Sequence, residues 1–81
     1  MTRIEVEEKV FQIVSEVLAI PKEKLTHNSS FIKDLGADSL TILDVMMKCE
    51  DIFQLTISDE ETENIKTIGN AVDYIFENLT K

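Results

Sequence analysis

Asp34-Leu35-Gly36-Ala37-Asp38-Ser39-Leu40 ends an irregular segment and opens the most apolar helix of the chain. Aspartate is a strong helix N-cap, so Asp38 places Ser39 at or near the first helical position. Gly36 just upstream permits a tight or left-handed backbone. Ser39 is therefore expected to stand exposed at a helix N-terminus. Free N–H groups and the positive end of the helix dipole favour an anion there, and a phosphate ester suits the place.

From Ser39 to about residue 53 the side chains sort into two faces on a wheel of about 100° per residue. Ile42, Val45, Met46, Cys49, Ile52 and Phe53 fall together and are expected in the core. Leu40, Leu43, Asp44, Met47 and Asp51 fall opposite. Three large apolar residues flanked by carboxylates are not an ordinary solvent face. Either the helix is buried on both sides within the chain, or the outward stripe is a docking surface of apolar anchors with a charged rim. With 81 residues, little chain is left to cover a second side, which favours docking.

Upstream, residues 2–19 read as an amphipathic helix. Val6, Val10, Ile13, Val14, Val17 and Leu18 recur at three- and four-residue spacing, with Phe11 on the flank. Thr2 and Glu5 have the spacing of a capping box. Ile20-Pro21 ends this helix, because a residue before proline disfavours the helical region. Residues 20–37 then form a long loop, with one short helical turn at 21–24. Leu25, Phe31, Ile32 and Leu35 are its apolar pins, and Phe31 is expected to insert between helices. His27, the one histidine, could serve as a base or pH sensor. An exposed or capping role is favoured, because no neighbour in sequence would orient it.

Downstream, residues 54–58 connect, with Leu55 and Ile57 directed inward. A short helix is expected over 59–65, with Asp59, Glu60 and Glu61 at its N-terminal end and Ile65 buried. Thr67 is a suitable cap for a last helix reaching about residue 79. Ile68, Ala71, Val72, Ile75, Phe76 and Leu79 form its stripe, with Tyr74 at the edge. Gly69 and Asn70 are poor interior residues but tolerable in a first turn. The tail, 78–81, is expected to fray. No alternation is long enough for a strand. The expected fold is all-α: a small four-helix bundle of three main helices and one short one, with a long loop after the first, in a single domain spanning 1–81.

The hydrophobic fraction of 43% suits a small globular core rather than a disordered acidic tail. No run could span a membrane and no signal-peptide pattern opens the chain, so a cytoplasmic setting is expected. One cysteine excludes an internal disulfide framework. The formal charge is −8 and is unevenly placed. Residues 1–33 hold five acidic and five basic side chains; residues 34–81 hold eleven and three. The acidic part would repel nucleic acid and anionic membrane, and would steer basic protein patches toward it.

Catalytic machinery is not evident. Ser39 lies in Gly-Ala-Asp-Ser-Leu-Thr, not in a Gly-x-Ser-x-Gly elbow. Cys49, on the inward face, reads as a buried inert thiol. No metal-ligand cluster or glycine-rich phosphate cradle is present, and the carboxylates of 59–63 lack EF-hand spacing.

The heptapeptide 34–40 resembles the modification site of the acyl carrier proteins. So do its flanks, Ser30-Phe31-Ile32-Lys33, Ile57-Ser58-Asp59-Glu60-Glu61 and Ala71-Val72-Asp73-Tyr74-Ile75, in order along nearly the whole chain. The resemblance implies that Ser39 carries 4′-phosphopantetheine, derived from coenzyme A, with Gly36, Asp38 and Leu40 shaping the site. It implies a monomeric carrier, not an enzyme, bearing acyl chains as thioesters for fatty acid biosynthesis. A polyketide, peptide or specialised lipid pathway is the alternative, and a non-carrier acidic helical adaptor is another. The implied partners are a phosphopantetheinyl transferase and basic-patched synthesis enzymes and acyltransferases, met by Leu40, Leu43, Asp44, Met47, Glu50 and Asp51. Phe31, Ile42, Met46, Cys49, Ile57, Ile65 and Ala71 are the implied lining of an acyl pocket. Two residues depart from the family pattern: Thr41, where an acid often stands, and Lys48, where a small neutral residue is usual.

Overall fold

Thr2 starts the first helix by the reciprocal cap that its spacing to Glu5 predicts. The Thr2 hydroxyl accepts from Glu5 N–H at 3.2 Å, and the Glu5 carboxylate accepts from Thr2 N–H at 3.0 Å. The computed structural model describes residues 2–79. It contains α1 (Arg3–Leu18), a single 3-10 turn (Lys22–Lys24), α2 (Ser39–Phe53), α3 (Asp59–Glu63) and α4 (Ile68–Leu79). No strand occurs among the described residues, and the all-helical expectation holds with four helices in the expected order.

Helix α1 packs against both α2 and α4. Its residues Val6, Val10, Ile13 and Val14 are buried. They meet Ile42, Val45, Met46, Cys49 and Phe53 of α2 and Ile68, Ala71, Val72 and Ile75 of α4 in one core. Burial of this apolar surface is the main force holding so short a chain together. Both long helices before residue 60 end on a non-glycine residue in the left-handed region, Ala19 (φ 56°) and Gln54 (φ 53°).

The long loop is tied down by hydrogen bonds that local sequence does not announce. Phe31 N–H donates to Lys66 O at 3.1 Å and Ile68 N–H to Ser29 O at 3.2 Å. Ser30 and Thr67 form an isolated antiparallel bridge. Phe31 is fully buried, as an inserted loop aromatic should be. Gly69 belongs to the same seam: its N–H donates to His27 O at 2.9 Å. A Cβ at this position would lie 2.8 Å from that oxygen. The glycine is thus a close-approach residue, not merely a tolerated one.

Several expectations need correction. Ile52 is 47% exposed rather than in the core; on a wheel of 100° per residue it stands roughly 80° from Ile42, at the edge of the buried arc. Ile32 is 59% exposed and does not pin the loop, which Phe31 and Leu25 do. The short helix stops at Glu63, because Asn64 and Ile65 N–H groups bond three residues back to Glu61 and Thr62. That tight closure turns Ile65 into the core. Its N-cap is Ser58, whose hydroxyl accepts from Glu61 N–H at 3.2 Å. Asn78 and Leu79 are helical instead of frayed, and the Asn78 amide donates to Tyr74 O at 2.8 Å; residues 80 and 81 of the expected frayed tail lie outside the described residues.

Candidate functional site

Asp38 opens α2 with its side chain turned back on the helix. Its Oδ1 accepts from Thr41 N–H at 2.9 Å and from the Thr41 hydroxyl at 2.8 Å. These two bonds hold the Asp38 carboxyl below its ordinary range. The cap is therefore fully engaged above the usual carboxylate range and is lost as pH falls through that lowered value. Thr41, the departure from the family pattern, completes this cap.

Upstream, Gly36 takes φ +66°, the left-handed backbone its type permits. Ala37 is buried and its N–H donates to Phe31 O at 2.8 Å. Asp34 closes the preceding turn by accepting Ser30 N–H at 2.7 Å. The residues before Ser39 are thus fixed, and Ser39 itself is exposed as the first residue of a 15-residue helix. Its hydroxyl stands on a rigid base beside the positive helix end.

A partly open cleft of about 840 Å³ begins at Ser39. Ser30, Ile32 and Lys33 of the loop, with Lys66 and Thr67, make one side. Ser39, Ile42 and Leu43 come from α2, and Asp59, Thr62 and Glu63 from α3, with Ile65 just beyond it. Its size suits a small molecule or chain. Of the residues implied for an acyl pocket, Ile42 and Ile65 reach this cleft. Phe31, Met46, Cys49, Ile57 and Ala71 are buried core residues outside its lining. Lys33, Lys66, Ile32 and Thr62 were not singled out from sequence as site residues. Ile32 and Lys33 precede Ser39 in the same loop, whereas the pairing of 29–31 with 66–68 brings in Lys66, and no local pattern signals it.

The outward face of α2 carries Leu40 at 74% and Met47 at 56% exposure. Asp44 and Asp51 are exposed beside them. Leu43 is half-buried, at the rim of the cleft rather than free on the surface. Glu50 is half-buried too, and its Oε2 accepts from Ile57 N–H at 3.1 Å, so it anchors the loop before α3. Neither is a simple surface group, as the docking stripe assumed.

Cys49 is buried, and desolvation, aided by the charge of Glu50, pushes its thiol up to about 12. Such a thiol is not a nucleophile near neutral pH. His27 finds a partner that sequence did not supply: its Nε2 lies 3.0 Å from Glu7 Oε1, and its ring meets Phe11 edge-on at 5.5 Å. Among the described residues no His, Cys, Asp or Glu cluster is suited to a metal, and no helix is long and apolar enough to cross a membrane.

The family described as "Phosphopantetheine attachment site" matches residues 8–75. Among solved structures, the chain is similar to the acyl carrier protein from Enterococcus faecalis, with 42% identity and a TM-score of 0.81. That match covers 96% of this chain and 99% of the other. The chain belongs to the acyl carrier proteins, the family whose prosthetic group is 4′-phosphopantetheine.

Proposed function

We propose that Ser39 bears the 4′-phosphopantetheine arm through a phosphodiester and that residues 1–81 act as one carrier domain for acyl intermediates of fatty acid biosynthesis. The observation that carries this reading is the exposed Ser39 hydroxyl, on a fixed helix N-terminus at the edge of a cleft. The residues fit the group. The helix end favours an anion at Ser39, and Gly36 and Asp38 hold the backbone that presents it. When bound, the arm supplies a thiol on which acyl groups are held as thioesters.

The protein's own part is to display, shelter and dock. Ile42 and Ile65 offer an apolar entrance, and Phe31, Met46, Cys49, Ile57 and Ala71 belong to the same core cluster. A flexible Met46 and a slim Cys49 make such a core able to yield to a chain. Leu40 and Met47 are the apolar anchors, and Asp44 and Asp51 the rim, for a phosphopantetheinyl transferase and basic-patched enzymes. Leu43 and Glu50 contribute from half-buried positions. A carrier of this kind needs no catalytic set of its own and works as a monomer. Its lone, buried cysteine fits a reducing cytoplasm.

A second reading, a carrier for a polyketide, peptide or specialised lipid pathway, draws on two residues of α2. Thr41 directs its hydroxyl to Asp38 where an acid often stands, and Lys48 is an exposed cation. Both weaken the negative face. Incubation of the apo protein with coenzyme A and a phosphopantetheinyl transferase tests the main reading. The expected result is a mass gain of one phosphopantetheine, lost in Ser39→Ala. An unchanged mass with a competent transferase would favour the role of a non-carrier adaptor instead. Acyl chains identified on protein from its source would separate the two carrier readings.

A further inference from the structure

We propose that Lys33 and Lys66 are positioning residues for the arm: their ammonium groups pair with its phosphodiester and hold the arm against the cleft. This rests on attachment at Ser39. Residues 34–81 carry eleven acidic and three basic side chains, yet one of those three, Lys66, lines the cleft that begins at Ser39. Lys33 lines it too, and these two are the cations of that lining.

Backbone bonding fixes where both lysines start. Phe31 N–H donates to Lys66 O at 3.1 Å, and Ser30 and Thr67 are bridged, so the two segments form one wall. Lys33 N–H donates to the Ser30 hydroxyl at 3.2 Å, and Lys66 N–H to Asn70 Oδ1 at 3.1 Å. Both residues are exposed, and neither ammonium makes an ion pair among the described residues. Asp59 and Glu63, in the same cleft, do not engage them. Two cations on stitched backbone are therefore available for an incoming anion. A phosphodiester at Ser39 adds negative charge beside the ionised Asp38, in a chain of net charge −8. Pairing with lysines offsets that repulsion and restrains one end of a flexible arm.

The experiment compares apo and loaded protein, wild type and the double variant Lys33→Gln, Lys66→Gln, with the arm's phosphorus and the lysine side chains observed by NMR. Mass spectrometry first reports loading, which does not depend on the lysines. In wild type at low salt, loading should shift the side-chain signals of Lys33 and Lys66 but not those of Lys22 and Lys24. At 1 M salt the Debye length falls to about 3 Å and the shift should largely vanish. The phosphorus resonance should follow salt in wild type and in the double arginine variant, and ignore it in the glutamine variant. Full loading with unshifted lysines overturns the proposal. So does a slower loading rate in the glutamine variant without any shift, which would make the lysines docking groups. No mass gain at Ser39 in wild type would instead refute the attachment itself, and this inference with it.

Discussion

Around α1 and α4, polar side chains meet one another. Arg3 pairs with Asp73, lies 3.7 Å from Glu7 and covers the Phe76 ring at 5.8 Å, and Glu7 reaches His27. Along α2 and α3, comparable groups face outward. Asp44, Asp51, Asp59, Glu60 and Glu63 are exposed, and none makes an ion pair among the described residues. The exposed Leu40 and Met47 lie on the same side of the molecule's division. Among the described residues, one flank thus closes on itself and the other leaves its charges and apolar side chains exposed. Stability and function should therefore separate on mutation, except at the seam that joins the flanks.

Phe31 sits in that seam, and its loss should have the largest effect. It is fully buried, its N–H is held by Lys66 O, and its carbonyl holds Ala37 just before the Asp38 cap. Phe31→Ala should cost about 3–5 kcal/mol in urea unfolding followed by circular dichroism. A domain of this length has only roughly 4–12 kcal/mol in total. Loading of Ser39 should fall with the folded fraction. A small change in stability would mean that the flanks are joined elsewhere.

Gly69→Ala should come next. Alanine ordinarily favours a helix by about 1 kcal/mol over glycine. Here its Cβ would stand 2.8 Å from the His27 carbonyl oxygen, which also accepts Gly69 N–H. The loop backbone must shift, and the net result should be a loss of about 1–3 kcal/mol. Loading, corrected for folded fraction, should not change. A neutral or stabilising outcome would show the closed flank to be more pliant than its hydrogen bonds suggest.

How much of this was readable beforehand depends on the range of the interaction. The Thr2–Glu5 box, the Asp38 cap and the Thr67 cap, whose hydroxyl accepts from Asn70 N–H at 3.1 Å, arise within three residues of chain, and residue type and spacing reveal them. Helix phases follow from local spacing, so the sequence predicts α1, α2 and α4 nearly to the residue. Ile52 stands at the boundary of the buried arc, where a wheel does not distinguish core from surface. The anchoring role of Glu50 escapes local reading because its partner, Ile57 N–H, lies seven residues on, beyond the end of α2. The role of Gly69 needs His27, and the cleft needs the pairing of 29–31 with 66–68. Those contacts arise from the way the whole chain closes, and a single sequence carries no local trace of them.

On the open flank, reversing Asp44 and Asp51 to Lys should leave unfolding free energy within about 0.5 kcal/mol of wild type, as for surface changes generally. Transferase loading at low salt should slow by about tenfold, the lower end of electrostatic steering. Wild type and variant should converge as salt rises. The same reversal on a partnered group, Asp73→Lys, should show the opposite pattern, with altered stability and an unchanged loading rate. If both reversals act alike, the division between flanks is not electrostatic.

The smallest effect concerns a feature that the two flanks share. α1 ends on Ala19 and α2 on Gln54, each left-handed with φ near +55°. Each closes in the same way: Ile20 N–H donates to Ser15 O and Leu55 N–H to Glu50 O, both at 3.2 Å. Such ends are usually glycine, because a Cβ is strained there. Glycine relieves that strain but widens the unfolded ensemble, so the gain is partial, about 0.5–1 kcal/mol at each site. Ala19→Gly and Gln54→Gly should therefore raise the unfolding midpoint by similar amounts and add in the double variant, since the sites terminate different helices. Loading should be unaffected by the first. If Gln54→Gly stabilises equally and also slows loading, then the end of α2 belongs to the docking surface, and the open flank extends past Asp51 to the loop that Glu50 holds.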